Sequence, residues 1–190
     1  GVNASVVGVG GGGTRTFDKG SLSVDLNYQN LGLYDNIYSG RRDFEKPYRM
    51  FSGATQFRYT PDDATVLKIY AQYDRTDFST YEGSDRRIFG LGEDNVYINV
   101  TFRRRTSGDW NWFAGAAYSF YEQKIAGAAA AGDDWLERQQ ELHLKAKVFK
   151  RFSPFFRLDM GAESFIRHYE NHYQLSAIDD RNRMSPTVSA

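Results

Sequence analysis

Apolar and polar side chains alternate with a period of two through most of this chain. Residues 21–31 show it most clearly: Leu22, Val24, Leu26 and Tyr28 share one parity, and Ser23, Asp25, Asn27 and Gln29 the other. Successive side chains of a strand point to opposite faces, so the stretch predicts a ribbon with one apolar and one polar side. No helix could gather those apolar residues onto one stripe. The alternation recurs in residues 50–60, 65–74, 95–103, 110–121, 141–150 and 156–167. Residues 133–147 are rich in helix formers behind a fair N-cap, Asp133, but strict alternation from Glu141 to Val148 predicts a strand. With a short apolar segment at 4–9, about eight strands are expected.

The connections alternate in length. Residues 60–63 (TPDD), 105–109 (RTSGD) and 151–154 carry tight-turn chemistry, whereas 32–47, 79–94 and 122–138 read as long polar or Gly/Ala-rich connections. Residues 168–190 are polar, with TVSA beginning a further strand. Gly8–Gly13 formally fit a G-x-G-x-x-G dinucleotide loop, but that loop needs a helix directly after it, and the next segment of this chain alternates instead. A flexible hairpin connection is the expectation there.

Composition narrows the function classes. The chain has 24 basic and 24 acidic side chains, which gives no electrostatic case for a nucleic-acid partner. It has no Cys, so a disulfide framework, a CxxC metal site and a thiol nucleophile are excluded. No apolar run reaches the roughly 18 residues of a membrane helix. The opening GVNASVVG does not read as a signal peptide, so the sequence predicts a processed chain or a section of a longer one.

Three patterns favour a membrane barrel over a soluble one. The clear strands have about 9–12 residues, as a tilted bilayer crossing requires. Short turns on one side and long connections on the other are typical of outer-membrane barrels. Tyr28, Tyr59, Tyr73, Phe102, Trp110, Trp112, Tyr118 and Phe120 lie on the apolar parity near strand ends, as interfacial girdles do. The opposite parity carries Asp25, Arg58, Lys68, Asp74, Arg103, Lys145, Lys147, Arg157, Asp159 and Glu163, too many charges for a dry core. The predicted fold is all-β, an antiparallel transmembrane β-barrel. A lumen lined with so many long charged side chains suits a section of a larger barrel better than a closed ring of eight strands. Two alternatives stay open: a complete eight-stranded outer-membrane barrel with a structural or adhesion role, and a soluble lipocalin-like ligand-binding barrel.

The passage SVDLNYQNLGLYDNIYSGRRDFEK resembles the early barrel of TonB-dependent outer-membrane receptors, particularly those of Bacteroidetes-type bacteria. Tyr28, Asn30, Leu31 and Tyr34 stand at their Y-x-N-L-x-x-Y strand-to-loop passage. YTPDDATVLKIYAQYDRTDF is similar to the family's hairpin and following strand, and RNRMSPTVSA to the approach to a next strand. The resemblance spans nearly the whole chain in pattern and phrasing, without an invariant motif. It implies that residues 1–190 are one partial domain from the middle of a barrel of 22 strands with a plugged lumen. It also implies nutrient import across the bacterial outer membrane. The implied partners are outer-membrane lipid, the remaining barrel and a plug domain, the TonB complex and a surface lipoprotein. Neither a plug nor a TonB box is recognisable in the sequence.

Chemistry-bearing clusters are sparse. Tyr34, Tyr38, Arg41 and Arg42 in the first connection, Tyr81, Arg86 and Arg87 in the second, and Trp135 in the third are expected to contact substrate in external loops. Aromatic and Arg side chains combine area with directed hydrogen bonds. His168, Glu170 and His172 form H-x-E-x-H and would share a side if extended, which makes them weak metal candidates. No cofactor is expected. The paired acids Asp62–Asp63 read as turn chemistry, and no Ser/His/Asp arrangement assembles, so no enzymatic activity is expected.

Overall fold

The computed structural model describes residues 7–32, 44–82, 87–127 and 133–174. They form eight antiparallel strands in one sheet: β1 (Val7–Phe17), β2 (Gly20–Asn30), β3 (Phe44–Asp62), β4 (Thr65–Glu82), β5 (Arg87–Thr106), β6 (Trp110–Ala126), β7 (Asp134–Ser153) and β8 (Phe156–Gln174). Each strand pairs with its sequence neighbours in the order β1 to β8, an uninterrupted meander. β1 and β8 do not pair, so the sheet is open.

Strand propensity is carried by alternation, and the alternation sets the register. Directly paired residues share a face, so Leu22, Phe57, Ile69, Val100, Ala116, Leu144 and Ser164 form one row across seven strands. The tight connections predicted from sequence are present. Asp62 accepts hydrogen bonds from the Ala64 amide (2.8 Å) and the Thr65 hydroxyl (3.2 Å), closing the β3–β4 turn. Ser107–Asp109 is a single 3-10 turn with Gly108 at φ 74° and Asp109 at φ 60°. Glycine and aspartate tolerate that left-handed backbone better than branched residues do.

Four expectations need correction. β3 to β8 run for 17 to 20 residues rather than about 9–12, so they extend roughly 55–65 Å, well beyond one bilayer crossing. Most of the expected long connections at 79–94 and 122–138 is strand, with only residues 83–86 and 127–133 between the paired segments. Gly8–Gly13 lie inside β1, paired against Gln29 to Val24, and form neither a nucleotide loop nor a hairpin connection. Glycine suits Gly12, where a Cβ would lie 2.0 Å from an Asp25 carboxylate oxygen. Finally, β8 continues to Gln174, so His168, Glu170 and His172 belong to a strand and not to the polar tail.

The sheet is a single layer. No hydrophobic side chain among the described residues is buried, and Leu26 is 51 % exposed. Folding in this form gains little from apolar burial within the chain itself, so whatever covers the apolar face supplies that stabilisation.

Candidate functional site

Row-by-row register divides one face into a belt and two borders. In the belt, β4 contributes Leu67, Ile69 and Ala71; β5 contributes Ile98, Val100 and Phe102; and β6 contributes Ala114, Ala116 and Tyr118. Leu142, Leu144 and Ala146 follow from β7, with Ala162 and Ile166 from β8. Taken from Thr65 to Tyr73 on β4, or from Val96 to Arg104 on β5, the belt is about nine residues tall. That matches the roughly 9–11 residues of a tilted crossing, although the strands themselves are twice as long.

The polar tips of the border aromatics point away from the belt. On the loop side, Tyr73 donates its hydroxyl proton to Asp94 (2.6 Å), Tyr118 reaches Gln140 (3.5 Å), and the Tyr28 hydroxyl accepts from Asn30 (2.9 Å). Each partner lies one row nearer the loops. On the turn side, the Trp112 indole N–H points to the Thr106 hydroxyl (3.4 Å), one row nearer the turns. Amphipathic rings adopt this arrangement where an apolar layer ends and water begins. Tyrosines on the other face show no such order: Tyr70 bonds loopward to Gln72, and Tyr97 turnward to Asn99.

A charged row closes the belt on the loop side. Arg75, Asp94, Glu122, Arg138 and Glu170 are directly opposite one another across five strands. Arg138 binds Glu122 through Nε (2.9 Å) and Nη2 (2.5 Å), and Glu170 through Nη1 (3.1 Å). Outside the belt, hydrogen bonds from Lys124 first and Arg138 second hold the Glu122 carboxyl below its ordinary range. Glu170 is lowered chiefly by its hydrogen bond to His168, then by the Arg138 charge.

At belt height the opposite face is polar and internally bonded. Tyr70, Gln72, Asp74 and Ser52 form a continuous hydrogen-bonded chain with links of 2.5–2.6 Å. Lys145 and His143 converge on Glu163 at 2.9 and 2.7 Å, while Arg167 clasps Glu141 through two nitrogens. Such a face suits water or a polar partner and not an acyl chain.

Beyond the belt the two faces exchange character. On the polar face, past the polar row Thr76, Glu93, Gln123, Glu137 and Asn171, the following loopward row reads Phe78, Leu91, Ile125, Trp135 and Tyr173, each opposite the next. Phe89 and Tyr48 extend it, with ring centroids 6.4 and 6.1 Å from Phe78. The Trp135 N–H donates to Asn171 at 2.6 Å. This row is not legible as a unit in the sequence, because each strand contributes one residue that breaks its own alternation. Taken singly, those breaks resemble the start of loops.

Of the residues expected to contact substrate, Trp135 lies in this aromatic row. Tyr81, next to last in β4, pairs with Ile88 and lies on the face opposite Trp135, so the two are not brought together. Arg87 pairs with Glu82 at the start of β5. Tyr34, Tyr38, Arg41, Arg42 and Arg86 lie outside the described residues. His168 and Glu170 are 2.9 Å apart, but the second Glu170 oxygen is taken by Arg138. No group of three His, Asp or Glu among the described residues is placed to hold a metal. Comparison with family models, with curated proteins and with solved structures finds no match for this chain.

Proposed function

We propose that this chain is an arc of a bacterial outer-membrane β-barrel wall, with the belt toward lipid and the polar face toward an aqueous or plugged lumen. The observation that carries this reading is the bounded belt: about nine residues tall, with aromatic tips aimed outward at both borders. Strands that outlast the belt suit a wall rising above the membrane. The open sheet and the charged polar face suit a large ring better than eight strands closing on themselves. On this basis, and on the resemblance of Tyr28, Asn30, Leu31 and Tyr34 to the receptor strand-to-loop passage, we assign it to a TonB-dependent-type receptor importing a nutrient. The wall performs no covalent chemistry. The row from Phe78 to Tyr173 faces the lumen at its loop-side mouth, where it offers apolar contact area to an incoming substrate or to the plug.

The test is a pair of arginine substitutions in neighbouring residues of β5. Val100→Arg enters the middle row of the belt and is expected to cost about 2–4 kcal/mol of folding free energy in bilayers. Asn99→Arg enters the polar face and is expected to cost less than about 1 kcal/mol. Equal costs, or the reverse order, would remove lipid from the belt and with it the membrane reading.

A further inference from the structure

An apolar groove of about 670 Å³ runs across the belt at its turn-side border. Phe102, Trp112, Val148 and Met160 wall it, and Ala114 and Ala146 form its floor. The register explains the hollow: Ala114, Ala146 and Ala162 are directly opposite one another, with the larger Trp112, Val148 and Met160 in the row turnward of them and Leu144 loopward. Its volume falls within the range of small-ligand sites, about 300–1,000 Å³. At belt height such a hollow leaves wall atoms without neighbours unless a chain fills it.

Two cations stand on the turnward side of the groove. Arg104 lines its edge, in register with Trp112, and Lys150 lies one row further toward the turns, in register with Trp110. The two strands that carry them are two strand spacings apart, about 10 Å, within joint reach of one phosphodiester headgroup. Neither forms an ion pair with a carboxylate among the described residues. Lys150 rests over the rings of Trp110 and Phe152, at 4.9 and 4.6 Å. The two carboxylates that feel these charges are engaged elsewhere, Asp62 by Ala64 and Thr65, and Asp109 by Arg105 at 2.7 Å. The loop-side border differs, since its cations Arg75, Lys124 and Arg138 all have acidic partners.

Resting on the membrane reading above, we propose that this groove is a binding site for one anionic phospholipid of the turn-side leaflet. An acyl chain lies along the alanine floor, and the phosphate is held by Arg104 and Lys150. The apolar walls admit a hydrocarbon chain, and the unpaired cations select an anionic headgroup over a zwitterionic one.

Tryptophan quenching tests this in vesicles, because Trp110 and Trp112 stand at the groove. Trp135→Phe removes the remaining tryptophan, which lies on the opposite face. Acyl-brominated phosphatidylglycerol and acyl-brominated phosphatidylcholine are compared at equal mole fraction. Phosphatidylglycerol is expected to quench preferentially, with an affinity advantage of roughly fivefold for each cation engaged. Arg104→Gln and Lys150→Gln each lower that advantage, whereas Arg104→Lys keeps most of it. Ala146→Phe fills the floor and reduces quenching by the bound lipid. Soluble glycerol phosphate is expected not to compete; competition would mean a phosphate site independent of the acyl groove. Equal quenching by the two lipids would overturn the proposal while leaving the membrane reading intact. Absence of quenching by either would overturn the membrane reading itself.

Discussion

At the scale of single residues, the belt border is held by Arg138. Its guanidinium joins carboxylates from the strands on both sides, Glu122 on β6 and Glu170 on β8, and so ties three strands at one height. Both carboxyls titrate below their ordinary value of 4.5. Their contribution to stability is therefore complete above that value and is lost as the pH falls through their lower folded-state values. A pH series of unfolding midpoints in detergent micelles should show this acid-side loss. Arg138→Gln is expected to cost about 1 kcal/mol at neutral pH and to flatten the acid limb without abolishing it, because Lys124 and His168 still hold the two carboxyls. An unchanged acid limb would show that the row is not coupled through Arg138.

At the scale of elements, alternation makes strands legible, but it understates where they end. Residues 22–29, 67–74 and 95–103 are readable because apolar side chains keep to one parity and most polar ones to the other. β4 and β5 then continue into Phe78 and Leu91, where apolar side chains move to the other parity. That reversal marks a change of surroundings and not a change of secondary structure. The same logic recovers β7 from its helix-forming composition, since tertiary pairing with β6 and β8 outweighs local propensity. It fails for Gly8–Gly13, where Val9 carries the one side chain and nothing can alternate, so the segment becomes a strand only by pairing with β2. The β5–β6 turn is more local in origin. Gly108→Ala places a Cβ on a left-handed residue (φ 74°) and is expected to cost about 1–2 kcal/mol in equilibrium unfolding. A neutral effect would mean that the turn rearranges.

At the scale of the whole molecule, an eight-stranded sheet without a buried hydrophobic side chain must have its apolar face covered. The belt is matched to a bilayer in height and bordered as interfaces are, and the other face is bonded as a wet surface is. The faces exchange character only above the belt, where the loopward row from Phe78 to Tyr173 places apolar and aromatic side chains on the otherwise polar face. The candidate site is partly readable: Trp135 stands out in the sequence as one aromatic among several, but its companions Phe78, Leu91, Ile125 and Tyr173 are joined only by register. The central claim is that one parity of each strand meets lipid and the other meets water. The chain has no native cysteine, so single cysteines placed in turn from Asn95 to Phe102 of β5 can be labelled without background. In vesicles, positions 96, 98, 100 and 102 should resist a water-soluble thiol reagent and be quenched by a lipid-embedded probe. Positions 95, 97, 99 and 101 should do the opposite. Uniform labelling across the eight positions, or protection on the odd ones, would contradict the account.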